Sequence, residues 1–399
     1  MTQSNASQAN ESQVGELERQ QKPAIYREAD VPPYQLPDVL KSPDGSRITT
    51  AQEWEERGRP AALESFAGQV FGRSPIPPAG IRFESVREDH RALNGRATEH
   101  VCRIIIPTAG EPFAFQATTL VPNDEPGRRK PVFLLLNNRP RKAHDPQRNP
   151  HDDFWPVETL ITRGYAAAEI HLVEVQPDEP GGLSAGVIAA LPQDDVAPEQ
   201  RWATIAAWAW AASRAMDWLC TLPAIDPARV AVIGHSRGGK AALWAAAQDQ
   251  RFAMVVSNES GCGGAALSRR RFGETVALIN GAFPHWFCGN FKKFNGREDD
   301  LPVDQHQLLA LVAPRCLYVA SAELDLWADP RGEFLSLAHA SSVYALYGCQ
   351  PIQPDQMPPL EQPLIRGPLA YHIRRGPHDL TRYDWEQYLA FADRGMDMR

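Results

Sequence analysis

The segment Arg229-Val-Ala-Val-Ile-Gly-His-Ser-Arg-Gly-Gly-Lys240 is the most informative stretch of the chain for its fold. It contains a G-x-S-x-G pattern centred on Ser236, directly after an apolar strand and directly before the Ala-rich helix Ala241 to Ala247. In a nucleophile elbow, a strained turn between strand and helix lifts a serine hydroxyl above the edge of a parallel sheet. A glycine-rich turn with an incidental serine is the alternative, but the flanking elements favour a nucleophile. We therefore predict that Ser236 is catalytic and that the following helix N-terminus helps to stabilise an oxyanion.

Apolar runs alternate with helical segments on both sides of this elbow. The runs are apolar on successive residues, as in buried parallel strands, and comprise Val132 to Leu136, Ala166 to Ile170, Val230 to Ile233, Met254 to Val256 and Cys316 to Ala320. The predicted helices between them are Phe154 to Arg163, Arg201 to Cys220, Lys240 to Gln248 and Asp304 to Val312. This alternation predicts an α/β class, the alpha/beta-hydrolase fold, as a three-layer sandwich with a mostly parallel central sheet. Ligands are then expected at the carboxyl ends of the strands.

The rest of the chain comprises an N-terminal region that precedes this core, called the N-terminal approach, and long loops. We predict a disordered tail over residues 1–22 and a single catalytic domain over 23–399, with an N-terminal approach and hairpin at 23–125 and the core at 126–399. The approach contains a predicted helix near Ala51 to Gly68 and a hairpin of Val101 to Ile106 with Ala114 to Val121. Glycine and proline cluster at Asp178 to Gly182 and at Gln350 to Pro368, so long surface loops that shape a site are expected there.

Composition excludes several classes of function. The 399 residues carry 41 Lys and Arg against 49 Asp and Glu, a formal charge of −8, and this balance argues against a nucleic-acid partner. The most apolar stretch, Trp202 to Cys220, contains Arg214 and Asp217, so no membrane span is predicted. The six cysteines form no C-x-x-C pair and are too few for a disulfide scaffold. We expect no metal, no cofactor and a monomer. The sequence shows no signal peptide, so the protein is cytoplasmic as written, but its compartment stays open.

A catalytic serine requires a base, which in the alpha/beta-hydrolase order lies near the C-terminus. Only His372 and His378 follow His339. His372 lies within an apparent strand, Leu369 to Ile373, and is interpreted as structural. His378 follows Gly376-Pro377 in a loop before a predicted helix, Tyr383 to Asp393, and is the favoured base.

Two carboxylates compete to orient the base. Glu259 ends the strand after the nucleophile helix, and Asp325 ends the next strand. The alternative interpretations are a solvated loop carboxylate for Glu259 and a helix cap for Asp325. Either loop can reach the histidine, so the residues alone leave both acids open.

Several segments together resemble carbohydrate esterase family 15, the glucuronoyl esterases, and its bacterial members in particular. The resemblance covers about Val132 to Trp385 and is carried by Gly234-His-Ser-Arg-Gly-Gly-Lys240, Asn258-Glu-Ser-Gly-Cys-Gly-Gly-Ala265, Phe283-Pro-His-Trp-Phe-Cys288, Asp304-Gln-His306, Ala322-Glu-Leu-Asp-Leu-Trp-Ala-Asp-Pro330 and His378 with Asp384-Trp385. This chain differs from fungal members at His235, where they carry a disulfide-bonded cysteine. It also lacks a signal peptide, although the members of this family are typically secreted.

The resemblance implies a role for each candidate residue. Ser236 resembles the nucleophile, His378 the base, and Arg237 the arginine that stabilises the oxyanion. Glu259 matches the usual acid, which predicts the main role for it, and Asp325 matches an alternative acid of some bacterial members. The residues that match contacts to the glucuronate hydroxyls are Lys240, Glu274 and Trp327. The implied reaction is hydrolysis of the ester between 4-O-methyl-glucuronate on xylan and a lignin alcohol, without a metal.

Two other functions compete with this interpretation. An acetyl-xylan-type or general carboxylesterase would keep the same triad, but Lys240, Glu274 and Trp327 suit a hydroxylated, anionic sugar better than a small apolar acyl group. Without the resemblance, these three are equally well a surface lysine, a solvated carboxylate and a core tryptophan. A catalytically silent carbohydrate-binding protein is disfavoured because a serine, a histidine and two candidate acids are all present.

Overall fold

The computed structural model describes residues 24–125, 127–139 and 152–396. The predicted N-terminal tail, residues 1–22, lies outside the described residues. Within them, ten strands form one sheet in the order β1-β2-β3-β5-β4-β6-β7-β8-β10-β9. The strands are β1 Arg82–Arg91, β2 Ala97–Ile106, β3 Phe113–Pro122, β4 Lys130–Asn137, β5 Ala166–His171, β6 Ile225–His235, β7 Met254–Asn258, β8 Cys316–Ala322, β9 Leu364–Arg366 and β10 Leu369–Arg374.

The centre of the sheet is parallel and its two edges are antiparallel. Strands β5, β4, β6, β7, β8 and β10 run parallel to one another, and the five predicted core strands are confirmed among them. The predicted hairpin is β2 with β3, but β1 adds a third antiparallel strand that the sequence analysis missed. Strand β1 lies at the edge and is mostly exposed and charged, so it carries little of the apolar pattern by which a strand is recognised.

Helices connect these strands. One helical stretch joins Ala51–Glu53, the π-helical Trp54–Gly58, α1 Arg59–Phe66 and the π-helical Ala67–Phe71, where a helix was expected. The others are α2 Val157–Thr162, α3 Leu172–Val175, α4 Gly186–Ala190, α5 Thr204–Leu219, α6 Arg237–Gln248, α7 Val276–Ala282, α8 Gln305–Ala310, α9 Pro330–Ala345 and α10 Arg382–Gly395, with a further short turn at Ala92–Gly95. Helix α9 was not predicted, because it is buried on most of its sides and lacks a clear polar face. No helix among the described residues combines the length and the apolarity needed to cross a membrane.

Two apolar layers, one on each face of the sheet, form the core. In β6, Val230 and Val232 face the layer that includes α5, α6 and α9, whereas Ala231 and Ile233 face the layer that includes α2 and α10. Successive residues of a strand point to opposite faces, so a strand covered on both sides is apolar throughout. This arrangement is the predicted three-layer α/β sandwich, and it brings the carboxyl ends of β6, β7, β8 and β10 to one edge.

Candidate active site

The predicted elbow is present as a strained turn between β6 and α6. Ser236 has φ +56° and ψ −122°, a conformation that non-glycine residues rarely adopt. The turn requires glycine on both sides: a Cβ on Gly234 would lie 2.1 Å from the carbonyl carbon of Gly238, and a Cβ on Gly238 would lie 2.7 Å from the Leu136 oxygen. The Ser236 N–H donates to the Asn258 carbonyl at 2.9 Å, which ties the elbow to the end of β7.

His378 lies beside this elbow, in the loop after β10 as expected. Its ring centroid is 4.3 Å from that of His235, the residue that precedes the nucleophile. Its Nδ1 lies 2.6 Å from Asp325 Oδ2 and 3.1 Å from Glu259 Oε2. Two carboxylates facing Nδ1 place the ring proton there, so Nε2 is the nitrogen free to accept a proton. His372, by contrast, is fully buried in β10, where it contacts Tyr318 and Asp384.

The structure brings both candidate acids to the base, with different surroundings. The Oε1 of Glu259 accepts from Arg374 Nη2 at 2.6 Å, and its Oε2 accepts from the Asp379 N–H at 3.1 Å. Burial raises the pKa of Glu259 to about 8, against the hydrogen bond from His378 and the charge of Arg374. Both acids stay candidates, and the shorter contact favours Asp325 over the expected Glu259.

The two acids also change the basicity of His378. Burial lowers the pKa of the imidazole, but hydrogen bonds to Asp325 and Glu259 and the charges of both outweigh it and raise the pKa above its usual range. Acidic neighbours stabilise the imidazolium that forms when the histidine takes a proton. The pair therefore orients the ring and stabilises the imidazolium that forms during the reaction.

The same three side chains offer the donor atoms of a metal site, since their ligand atoms lie within 4.8 Å of one another. Arg374 and a backbone N–H already engage both oxygens of Glu259. A guanidinium next to the cluster repels a cation, whereas it stabilises a carboxylate. The arrangement fits a histidine oriented by two carboxylates better than a metal centre.

Arg237 begins α6 directly after the nucleophile, and its side chain is about a third exposed. It forms an ion pair with Asp178. Its guanidinium carbon lies 4.9 Å from the ring centroid of Trp286 and 5.5 Å from that of Phe283, within cation–π range of both. The charge is thus held beside the elbow, where an oxyanion would form.

The three predicted sugar contacts converge on the same edge of the sheet. Lys240 is buried and donates to the Ser260 carbonyl, and burial lowers its pKa while the charge of Glu274 opposes that shift. Burial raises the pKa of Glu274, against the charge of Lys240 and a hydrogen bond from the Trp327 indole. The Glu274 N–H donates to the Trp327 carbonyl at 2.9 Å, which joins their two loops. Trp327 is partly buried and packs against the small apolar cluster of Tyr26, Phe272 and Leu326, so it lies at the margin of the core.

Comparison with known proteins identifies the family. A family profile described as "Glucuronyl esterase, fungi" matches residues 197–348. "Carbohydrate esterase MZ0003" from an unknown prokaryotic organism is 39% identical over 93% of this chain and 92% of its own length. The "4-O-methyl-glucuronoyl methylesterase" of Schizophyllum commune is 30% identical over 78% of this chain and 74% of its own. The chain belongs to carbohydrate esterase family 15.

A solved structure supports the same assignment for this family 15 esterase. The "Glucuronoyl Esterase from Solibacter usitatus" superposes with a TM-score of 0.85 at 40% sequence identity, covering 92% of this chain and 99% of that one. The alpha/beta-hydrolase fold expected from the elbow is therefore confirmed.

The cysteines of this family 15 esterase are unpaired. All six lie in the described residues, and each is a free thiol. His235 stands where the resemblance places a bridged cysteine in fungal members, and its Nδ1 contacts Asn258 Oδ1 at 2.6 Å instead. That contact fixes the strand end that carries the nucleophile.

Sequence reasoning missed two groups that shape the site of this family 15 esterase. Arg374 ends β10 and holds Glu259 and Asp384 together through buried ion pairs. Asp178 pairs with the guanidinium of Arg237, and His285 in turn contacts Asp178. A signal for the second group existed, since the loop Asp178 to Gly182 was expected to shape a site and His285 lies within a quoted family motif. Nothing in the sequence near Arg374 marks it.

Proposed function

We propose that this chain is a serine esterase that hydrolyses esters of glucuronic acid through an acyl-enzyme. Its physiological substrate would be the ester between 4-O-methyl-glucuronate on xylan and a lignin alcohol. The observation that carries the proposal is the convergence of Lys240, Glu274 and Trp327 beside the Ser236 elbow. An ammonium, a carboxylate and an indole N–H grouped in this way support the proposal, because such groups can pair with the hydroxyls of a sugar ring.

The geometry supports a two-step hydrolysis. The Ser236 hydroxyl attacks the C6 carbonyl while His378 Nε2 takes its proton, and the tetrahedral oxyanion lies near Arg237. When the intermediate collapses, the alcohol leaves with the proton from His378 and the glucuronoyl group stays on Ser236. Water, deprotonated by the same imidazole, then attacks the acyl-enzyme; the bond to Ser236 breaks, His378 returns the proton to the serine oxygen, and the free uronate leaves. The chain's own side chains supply every proton transfer.

A general carboxylesterase is the second candidate, because the nucleophile and base would act equally on a small acyl group. The sugar contacts distinguish the two, since an acetyl group has no hydroxyls to pair with buried polar groups, and unpaired buried polar groups weaken binding. A non-catalytic carbohydrate-binding protein would need no elbow with a strained serine.

The proposal is tested by comparing kcat/KM for benzyl glucuronate, an acetylated xylo-oligosaccharide and a nitrophenyl acetate. A glucuronoyl esterase should prefer the glucuronate ester by at least about tenfold, since one matched polar contact is worth this much. Equal or greater activity on the acetyl esters would make the protein a general carboxylesterase. No hydrolysis of any ester would favour the binding protein.

Lys240→Ala and Trp327→Ala are expected to weaken turnover of glucuronate esters severalfold or more. Both residues contact a part of the substrate that does not react, so the loss should fall mainly on KM. Hydrolysis of a simple acetyl ester should be almost unchanged. The exposed Lys292→Ala serves as a matched control and should leave both rates unaltered. Equal losses on both substrates would mean that Lys240 and Trp327 support the fold or the triad instead of the sugar.

The two acids are expected to differ in their effect on the base. Asp325→Asn should lower kcat more than Glu259→Gln, because Asp325 makes the shorter contact to His378. Since both acids raise the pKa of His378, Asp325→Asn should also move the ascending limb of the pH profile of kcat/KM to lower pH. The test is to measure steady-state kcat and kcat/KM of the wild type and both variants between about pH 5 and 10. A larger loss in Glu259→Gln would return the main role to Glu259.

A further inference from the structure

Asp178 carries hydrogen bonds from three donors at once. Its Oδ2 accepts from Arg237 Nη1, and its Oδ1 accepts from Trp286 Nε1 at 2.7 Å and from His285 Nε2 at 2.9 Å. Its side chain is 13% exposed. Burial by itself would raise the pKa of Asp178, but the three donors and the charge of Arg237 outweigh it and hold the pKa below its usual range. Asp178 is therefore an ionised, largely buried carboxylate beside Arg237.

The groups that hold Asp178 are rigid. The carbonyls of His285 and Trp286 accept from the Thr204 and Ile205 N–H groups, at 3.0 and 3.2 Å, at the start of α5. Trp286 stacks on Phe283, with ring centroids 3.7 Å apart and planes 5° from parallel. A carboxylate bonded to two side chains on an anchored segment has little freedom to move.

Arg237 needs such a partner. It occupies the first position of α6, where the helix dipole disfavours a cation, and a free arginine side chain has many rotamers. Asp178 and the stacked rings hold the guanidinium in one place, while a third of the side chain stays open to solvent. The ion pair with Asp178 therefore holds the guanidinium without burying the whole side chain.

We propose that Asp178 is a positioning residue that fixes the Arg237 guanidinium for the oxyanion of the transition state. The inference rests on the proposed function, in which Arg237 faces that oxyanion. A preorganised charge costs no reorganisation when the negative charge develops, so its effect belongs to the chemical step and not to sugar binding. Asp178 differs in this respect from Lys240, Glu274 and Trp327.

Asp178→Asn keeps the size of the side chain and removes its charge. It should lower kcat by about tenfold, with KM nearly unchanged, and by the same factor on benzyl glucuronate and on a simple acetyl ester. In an Arg237→Ala background, the same substitution should have almost no further effect, because the group that Asp178 positions is absent. Glu179→Gln, a neighbouring exposed carboxylate, is the matched control and should behave as wild type.

Several outcomes would overturn the proposal. Unchanged kcat in Asp178→Asn would do so, as would a tenfold loss that persists in the Arg237→Ala background, which would indicate a structural role. If Asp178→Asn does not fold, Trp286→Phe is the second variant, because it removes one donor to Asp178 but keeps an aromatic ring. Its decrease in kcat should be smaller, and it should likewise disappear in the Arg237→Ala background. Full activity in Ser236→Ala would refute the proposed function itself, whereas loss in Ser236→Ala and Arg237→Ala with none in Asp178→Asn would refute this inference alone.

Discussion

Ser236→Ala and His378→Ala are each expected to remove nearly all esterase activity, lowering kcat by about 10⁴-fold or more, while the protein stays folded. Without the hydroxyl there is no acyl-enzyme, and without the imidazole nothing takes the hydroxyl proton at neutral pH. Residues that act as one unit are strongly non-additive, so the double variant should be scarcely worse than either single variant. The measurement is kcat on benzyl glucuronate, with circular dichroism to confirm folding.

The strained turn gives this prediction a control. Ser236 has a positive φ, and an alanine there keeps the Cβ and therefore the same backbone cost. A loss of activity with an unchanged melting temperature would then reflect chemistry. Activity above a tenth of wild type in Ser236→Ala would remove the serine from the role of nucleophile.

The next largest effect is expected for Arg237. Removing one oxyanion donor typically costs about 10² to 10³ in kcat, and Arg237→Ala should fall in that range on glucuronate and acetyl esters alike. Arg237→Lys should recover part of the loss, because it keeps the charge but loses the planar fork that pairs with Asp178. Steady-state kinetics on both substrates provide the test.

An exposed arginine separates this effect from general changes in charge. Arg297→Ala removes a cation that is 68% exposed and far along the chain from the elbow, and it should leave kcat unaltered. If Arg237→Ala raised KM for glucuronate esters only, Arg237 would be a substrate contact and the oxyanion would depend on backbone N–H groups alone.

The local sequence pattern was sufficient to predict the strands and the elbow that carry the site residues. The apolar runs predicted the central parallel strands because each is covered on both faces, and the G-x-S-x-G pattern predicted the elbow because only glycine fits at Gly234 and Gly238. The order of serine and histidine along the chain likewise separated His378 from His372. Strand β1 and helix α9 were missed because neither has the periodicity that marks such elements.

The sequence by itself therefore determined the fold class and the candidate nucleophile and base, since these follow from the apolar pattern of the strands, the elbow motif and the order of residues along the chain. Only the tertiary structure decided which groups hold them. His378 meets Asp325 across 53 positions, Arg237 meets Asp178 across 59, and Arg374 meets Glu259 across 115. Hydrogen bonds depend on ångström distances and on directions set by rotamers and loop paths. A pattern of residue types contains neither distances nor directions. It therefore predicted that both acids lie at the same edge of the sheet, but not how each of them contacts the base.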